Sequence, residues 1–116
     1  MKAVLDAAKR DADALCAGGV GGIIVENFGD LPFRPGAVDS ETVAAMALCI
    51  DSVCRSIGEG VPLGVNVLRN DARSALGLCA ATGSAFVRVN VHTGAAVTDQ
   101  GLIQGQADES LRIRAA

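Results

Sequence analysis

The sequence predicts an α/β chain organised around a parallel sheet. Three observations lead there. Helical and strand patterns alternate along the chain at the spacing of right-handed strand–helix–strand units. The strand segments GIIVEN (22–27), PLGVNV (62–67) and FVRVNV (86–91) are almost continuously apolar, as strands covered on both faces are. The polar residues these strands do carry recur every second position, and so share one face.

The chain opens with a helical pattern over residues 2–17, with Leu5, Ala8, Ala12 and Leu15 on one stripe. Gly18 and Gly19 stop it. GIIVEN is the first strand, and the Gly- and Pro-containing loop NFGDLPFRPGA follows. Asp39 is the expected cap of a long helix whose apolar face runs Val43, Met46, Ala47, Ile50, Val53, Ile57. Gly58 and Gly60 end that helix, and PLGVNV is the second strand. A shorter helix then begins with Asp71 as its cap, turns Ala75, Leu76 and Cys79 inward, and closes at Thr82-Gly83. FVRVNV is the third strand. The next fifteen or so residues, HTGAAVTDQGLIQGQ, have no clear periodicity and read as a long loop of the kind that carries function. A last helical pattern starts at Ala107 and runs to Arg114.

Aligned end to end, the three strands place Glu26, Asn66 and Asn90 at one level near their C-terminal ends. Ile24, Gly64 and Arg88 then lie one level below on the same face. Polar side chains there are costly in a closed core and reasonable around a wet site. An open doubly wound sheet and a (β/α) barrel both fit the alternation. The inward polar residues favour the barrel, whose sites lie at the C-terminal mouth.

Composition excludes several classes. The chain has 116 residues, half of them apolar, with three Phe and neither Trp nor Tyr, so its core must come from Ala, Val, Leu and Ile. A net charge of −3 argues against nucleic acid or an anionic membrane surface as partner. No apolar run approaches the roughly eighteen residues of a membrane span. The charge-broken N-terminus MKAVLDAAKRDADAL does not read as a signal peptide. Cys16, Cys49, Cys54 and Cys79 form no CxxC pair and sit in helical patterns as small apolar residues, so the expected location is cytoplasmic. There is no GxGxxG opening a helix, no GxxxxGK[ST] and no GxSxG. The glycines at 18, 19, 21 and 22 precede a strand and read as a turn.

Three blocks, GGVGGIIVENFGDLPF (18–33), PLGVNVLRNDARSAL (62–76) and ATGSAFVRVNVHTGAAVTDQGLIQG (81–105), together with ETVAAM (41–46), resemble the BtpA/SgcQ family of (β/α)₈ barrels. The resemblance covers nearly the whole chain. Gly21 stands where the family has Asp, which touches only a turn before the first strand. Family members are roughly twice as long and begin with a strand absent here. The resemblance therefore implies a half barrel, residues 1–116 forming one partial BtpA-like domain of three parallel strands alternating with helices. It also implies either an enzyme of unassigned reaction or an accessory role in photosystem I biogenesis, and a truncated, self-associating half barrel without catalytic activity is the third expectation.

A sheet of this kind leaves GIIVEN and FVRVNV as open edges, so self-association, most simply a homodimer, is expected. The candidate catalytic residues are Glu26, a carboxylate at the barrel mouth able to act as base, and Asp99. A structural ion pair from Glu26 to Arg88 is the competing reading. Asn27, Asn66 and Asn90 are candidate ligand-orienting amides, able to donate and accept. Arg69 and Arg88 are candidate anion contacts. Thr93 and Gln100, with Thr98 and Asp99, would lie in a lid-like loop. The single histidine, His92, cannot build a three-ligand zinc site, though with Glu26 or Asp99 it could share a metal; the sequence names no metal site or cofactor. The expected ligand is small and polar or anionic.

Overall fold

The structure, a computed structural model, describes residues 1–116 throughout. Helix α1 (Lys2–Ala17) leads into β1 (Ile23–Glu26), α2 (Ser40–Ser56), β2 (Leu63–Asn66), α3 (Ala72–Thr82) and β3 (Phe86–Val87). A hairpin of β4 (Ala95–Thr98) and β5 (Gly101–Gln104) follows, and α4 (Ala107–Ala115) ends the chain. Strands β1, β2 and β3 form a parallel sheet in that order. Sequential strands as sheet neighbours are the barrel arrangement, and three of them make part of a barrel that does not close.

Alternation along the strands separates the two faces. Ile23, Val25, Leu63, Val65, Val67 and Val87 pack with Ala12 of α1, Met46, Ile50 and Val53 of α2, and Ala75 and Leu78 of α3. Ile50, Val65 and Ala75 are wholly buried. Truncating Ile50 to Ala would remove about 2–5 kcal/mol. Successive helices pack on one another beside this face. The opposite face carries Ile24, Gly64 and Phe86, with Ile24 and Phe86 each 39% exposed, and no helix covers it. Gly64 is fitted to that face, because a Cβ there would meet the Phe86 ring.

Local chemistry explains most boundaries. Asp71 caps α3, accepting from the Ser74 amide at 2.9 Å, and Gly83 ends it in the left-handed region at φ 73°. Asp39 occupies the first cap of α2 but makes no capping bond, since Arg34 engages its carboxylate at 2.8 Å. In α3 the inward positions are Ala75 and Leu78. Leu76, expected inward, turns instead towards β3 and α4.

Two expectations change. FVRVNV pairs as a strand only at Phe86–Val87, continued by one bond from the Arg88 amide to the Val65 carbonyl at 2.9 Å. Residues 92–106 are not a long loop but chiefly a hairpin. Its two-residue turn is Asp99-Gln100, where Thr98 Oγ1 donates to the Gly101 carbonyl at 2.9 Å and Gly101 takes φ 92°.

Candidate functional site

The sheet register brings Gly64 opposite Phe86 and Glu26 opposite Asn66. Continued along the strand, it sets Arg88, not Asn90, level with Asn66, and Asn90 falls one layer further out. The sequence alignment was therefore displaced by two residues on the third strand. The four side chains still meet. Asn66 Nδ2 donates to Glu26 Oε1 at 2.9 Å and to Asn90 Oδ1 at 3.3 Å, while Arg88 donates to the same Glu26 oxygen at 3.1 Å. Asn66 is 1% exposed beneath this cluster, whereas the Arg88 side chain is 55% exposed above it. The ion pair between Glu26 and Arg88 is thus present, and it forms part of the site.

Around this floor the loops are tied by amide side chains that replace absent strand pairing. Asn27 accepts from the Leu68 amide at 2.7 Å and donates to the Leu68 carbonyl at 3.2 Å, fastening β1 to the end of β2. Asn70 does the same to Val91, at 2.8 and 2.9 Å, fastening β2 to β3. Asn90 donates back to the Arg69 carbonyl at 2.9 Å. Asp71, 7% exposed, holds the long loop after β1 by accepting from the Val38 amide at 3.0 Å. Charge and burial are reconciled there, because the carboxylate also receives the Ser74 amide and hydroxyl. Asn27 and Asn90, expected as ligand contacts, are chiefly clamps.

Arg69 forms a second centre. Its guanidinium lies 5.2 Å from the Phe33 ring centre, donates to Gln100 Oε1 at 2.9 Å and pairs with Asp99 at 2.6 Å. Gln100 Nε2 in turn donates to Asp99 Oδ2 at 2.7 Å. Arg69 is expected on an anion, and Asp99 and Gln100 in a lid; instead the three meet as a latch that holds the hairpin tip against the loops after β1 and β2. Thr93 is exposed with no side-chain hydrogen bond. His92 sits 2.7 Å from Ser110 on α4 and bonds to neither Glu26 nor Asp99. No group of three or more His, Cys, Asp or Glu side chains is placed to hold a metal.

Sequence reasoning passed over two parts of this arrangement. Phe33, 8% exposed, is the platform under Arg69. The hairpin was signalled by TDQG between two short alternating runs, the pattern of a tight turn closed by glycine. The larger cavities lie elsewhere: one of about 430 Å³ between α2 and α3, and one of about 620 Å³ bounded by α3, β3 and α4. The Glu26 cluster instead stands on the open sheet face. Burial pushes the thiols of Cys49, Cys54 and Cys79 above their ordinary range, with Asp51 adding to the effect at Cys54. These thiols are packing groups rather than nucleophiles.

The model of the BtpA family matches residues 1–116. The chain belongs to the BtpA family. Over 114 residues it is 52% identical to the photosystem I biogenesis protein BtpA of Synechocystis, covering 98% of this chain and 39% of that relative. An uncharacterized protein of Thermococcus kodakarensis is 45% identical over 96% of this chain and 41% of its own length. An uncharacterized mitochondrial protein of Caenorhabditis elegans is 34% identical, with 43% of its length covered. The chain thus spans about two-fifths of the length of these family members. No solved structure matches it.

Proposed function

We propose that this BtpA-family chain binds a small anionic ligand at the C-terminal ends of its strands, with Arg88 as the anion contact. One observation carries the reading. Arg88 gives one donor to Glu26 and leaves the rest of its guanidinium exposed above a floor held still by the Asn27, Asn70 and Asn90 clamps. Glu26 is the carboxylate placed to exchange a proton with whatever binds there, and Asn66 orients it. Asp99 acts through Arg69 and Gln100, setting the position of the hairpin. The reaction, if one occurs, is unassigned, because a barrel end supports many chemistries.

Thermal unfolding in rising inorganic phosphate tests this. A ligand that binds only the folded state raises the melting temperature. The wild-type protein should rise by several degrees at saturation, and Arg88→Met, which keeps the apolar stem, should lose most of that rise. No shift in the wild type, or an equal shift in Arg88→Met, overturns the reading.

A second reading rests on the relative named for photosystem I biogenesis. On it, this chain is an accessory factor in the assembly of that complex, and its polar end contacts a protein rather than a metabolite. Such a factor shows no phosphate shift and retains a protein partner through purification.

Self-association accompanies either reading. Strands β1 and β3 are unpaired along their outer edges, and Ile24 and Phe86 are partly exposed between them. A second copy pairing at an edge would satisfy those backbone groups. Light scattering over a range of concentrations should report a dimer or larger species, and a monomer at every concentration removes this element. No helix is long and apolar enough to cross a membrane. The four free thiols suit a cytoplasmic place of work.

A further inference from the structure

The hydrogen-bond directions at the mouth can be followed one residue at a time, and they end on two oxygens that lack donors. The Arg69 carbonyl can only accept, so the Asn90 atom 2.9 Å from it is Nδ2. Asn90 Oδ1 therefore points at Asn66, which must answer with its own Nδ2. That same Nδ2 also reaches Glu26 Oε1. A flipped Asn66 would set oxygen against oxygen on both sides, so the chemistry fixes its orientation. Asn66 Oδ1 is then left as an acceptor with no protein donor, although the residue is 1% exposed. Since no fully buried side-chain polar atom lacks a partner, this oxygen keeps an outlet to solvent. Glu26 shows the same asymmetry: Asn66 and Arg88 both donate to Oε1, and nothing donates to Oε2.

A bare anion satisfies only Arg88 and leaves Glu26 Oε2 and Asn66 Oδ1 without donors. We infer that the mouth selects an anion carrying free hydroxyl groups, of the sugar-phosphate or polyol-phosphate class, with Arg88 on the anion and Glu26 Oε2 and Asn66 Oδ1 on hydroxyl hydrogens. This rests on the anion-binding reading above and adds the second half of the ligand. A hydroxyl fits better than an ammonium because it donates and accepts. It can give its hydrogen to Glu26 Oε2 while taking one from the adjoining Arg88 guanidinium, whereas an ammonium only donates. Glu26 already has Arg88 as its cationic partner.

Calorimetric titration of the full chain with four probes tests the inference: inorganic phosphate, propyl phosphate, glycerol 3-phosphate and phosphoethanolamine. Glycerol 3-phosphate should bind about tenfold or more tighter than propyl phosphate, which has its charge and chain length without the hydroxyls. Glu26→Gln replaces the charged free acceptor by a neutral amide donor while keeping an oxygen for Asn66 and Arg88, and should lower that ratio several-fold, because the hydroxyl can then only accept there. The wild-type ratio stands by itself if Glu26→Gln does not fold. Equal binding of glycerol 3-phosphate and propyl phosphate overturns the hydroxyl inference and leaves the anion reading in place. Tighter binding of phosphoethanolamine overturns it in favour of an ammonium group. Failure of all four probes, phosphate included, removes both.

Discussion

Asn90 donates to the backbone carbonyl of Arg69 at 2.9 Å, and that bond orders the polar residues beneath it. It joins the end of β3 to the loop after β2, fixes which atom Asn90 shows to Asn66, and through Asn66 fixes the approach to Glu26. Removing it should unsettle the floor as well as the loop. Asn90→Ala is expected to cost about 1–3 kcal/mol, the range for leaving a buried polar partner unmade, with Asn66 and the Arg69 carbonyl both losing a partner. Urea denaturation checks this, and a change under a few tenths of a kcal/mol would mean the clamp is dispensable.

Two glycines on this side of the molecule should respond differently to alanine. At Gly64 the added methyl meets the Phe86 ring, which stands on an edge strand, is 39% exposed and has room to turn. At Gly105 it meets the backbone of His92 and Thr93, where nothing yields without moving the chain. Gly105→Ala should therefore destabilise more than Gly64→Ala, whose cost should fall at about 1–3 kcal/mol. Thermal melts of the two variants order them directly.

Arg69 should act as the latch of the hairpin. In Arg69→Ala the tip loses Asp99 and Gln100 bonds together, and the β4–β5 pair, marginal as an isolated hairpin, should open. Faster cleavage near residues 99–101 in limited proteolysis is the expected sign. Arg69→Lys should fail to restore protection, because a lysine cannot bond two side chains in a planar fork while lying against Phe33.

Stability should fall in alkali. Burial raises the Cys49, Cys54 and Cys79 thiols above their ordinary value of 9.0, so the folded chain holds these protons more tightly than the unfolded one. Their contribution is complete below pH 9 and is lost as pH rises through the folded values. Denaturation midpoints at pH 8 and pH 10 should differ in that direction, and Cys49→Ala, Cys54→Ala and Cys79→Ala should each reduce the difference.

Much of this fold was legible because its strands and helices are local statements. Met46, Ile50 and Val53 follow a period of 3.6, and Gly19, Asp71 and Gly83 mark ends with their own chemistry. The half barrel was legible from the inward polar residues of the strands and the family likeness together. What failed to show was decided between strands. Whether Arg88 or Asn90 stands level with Asn66 is a matter of register, and a slip of two residues keeps every side chain on its face, so the apolar pattern cannot detect it. Val89 and Val91 continue the apolar pattern beyond the last paired residues, so periodicity overstates the third strand. Past Arg88 the chain is held instead by Asn70, a side-chain tie that periodicity does not register. That Glu26, Asn66 and Arg88 share one face is legible in the two-residue alternation of the strands. That Asn27 and Asn90 would be occupied by backbone groups, and Arg69 by the hairpin, depended on loop geometry.

The most direct test of the anion mouth is a two-dimensional amide spectrum recorded as inorganic phosphate is added. If Arg88 receives the anion, the backbone signals of Val87 to Val91 and of Glu26 and Asn66 move together and saturate, while those of α1 and α4 stay still. Movement centred on Arg34 and Arg69, spread evenly over the exposed arginines, or absent altogether would contradict it.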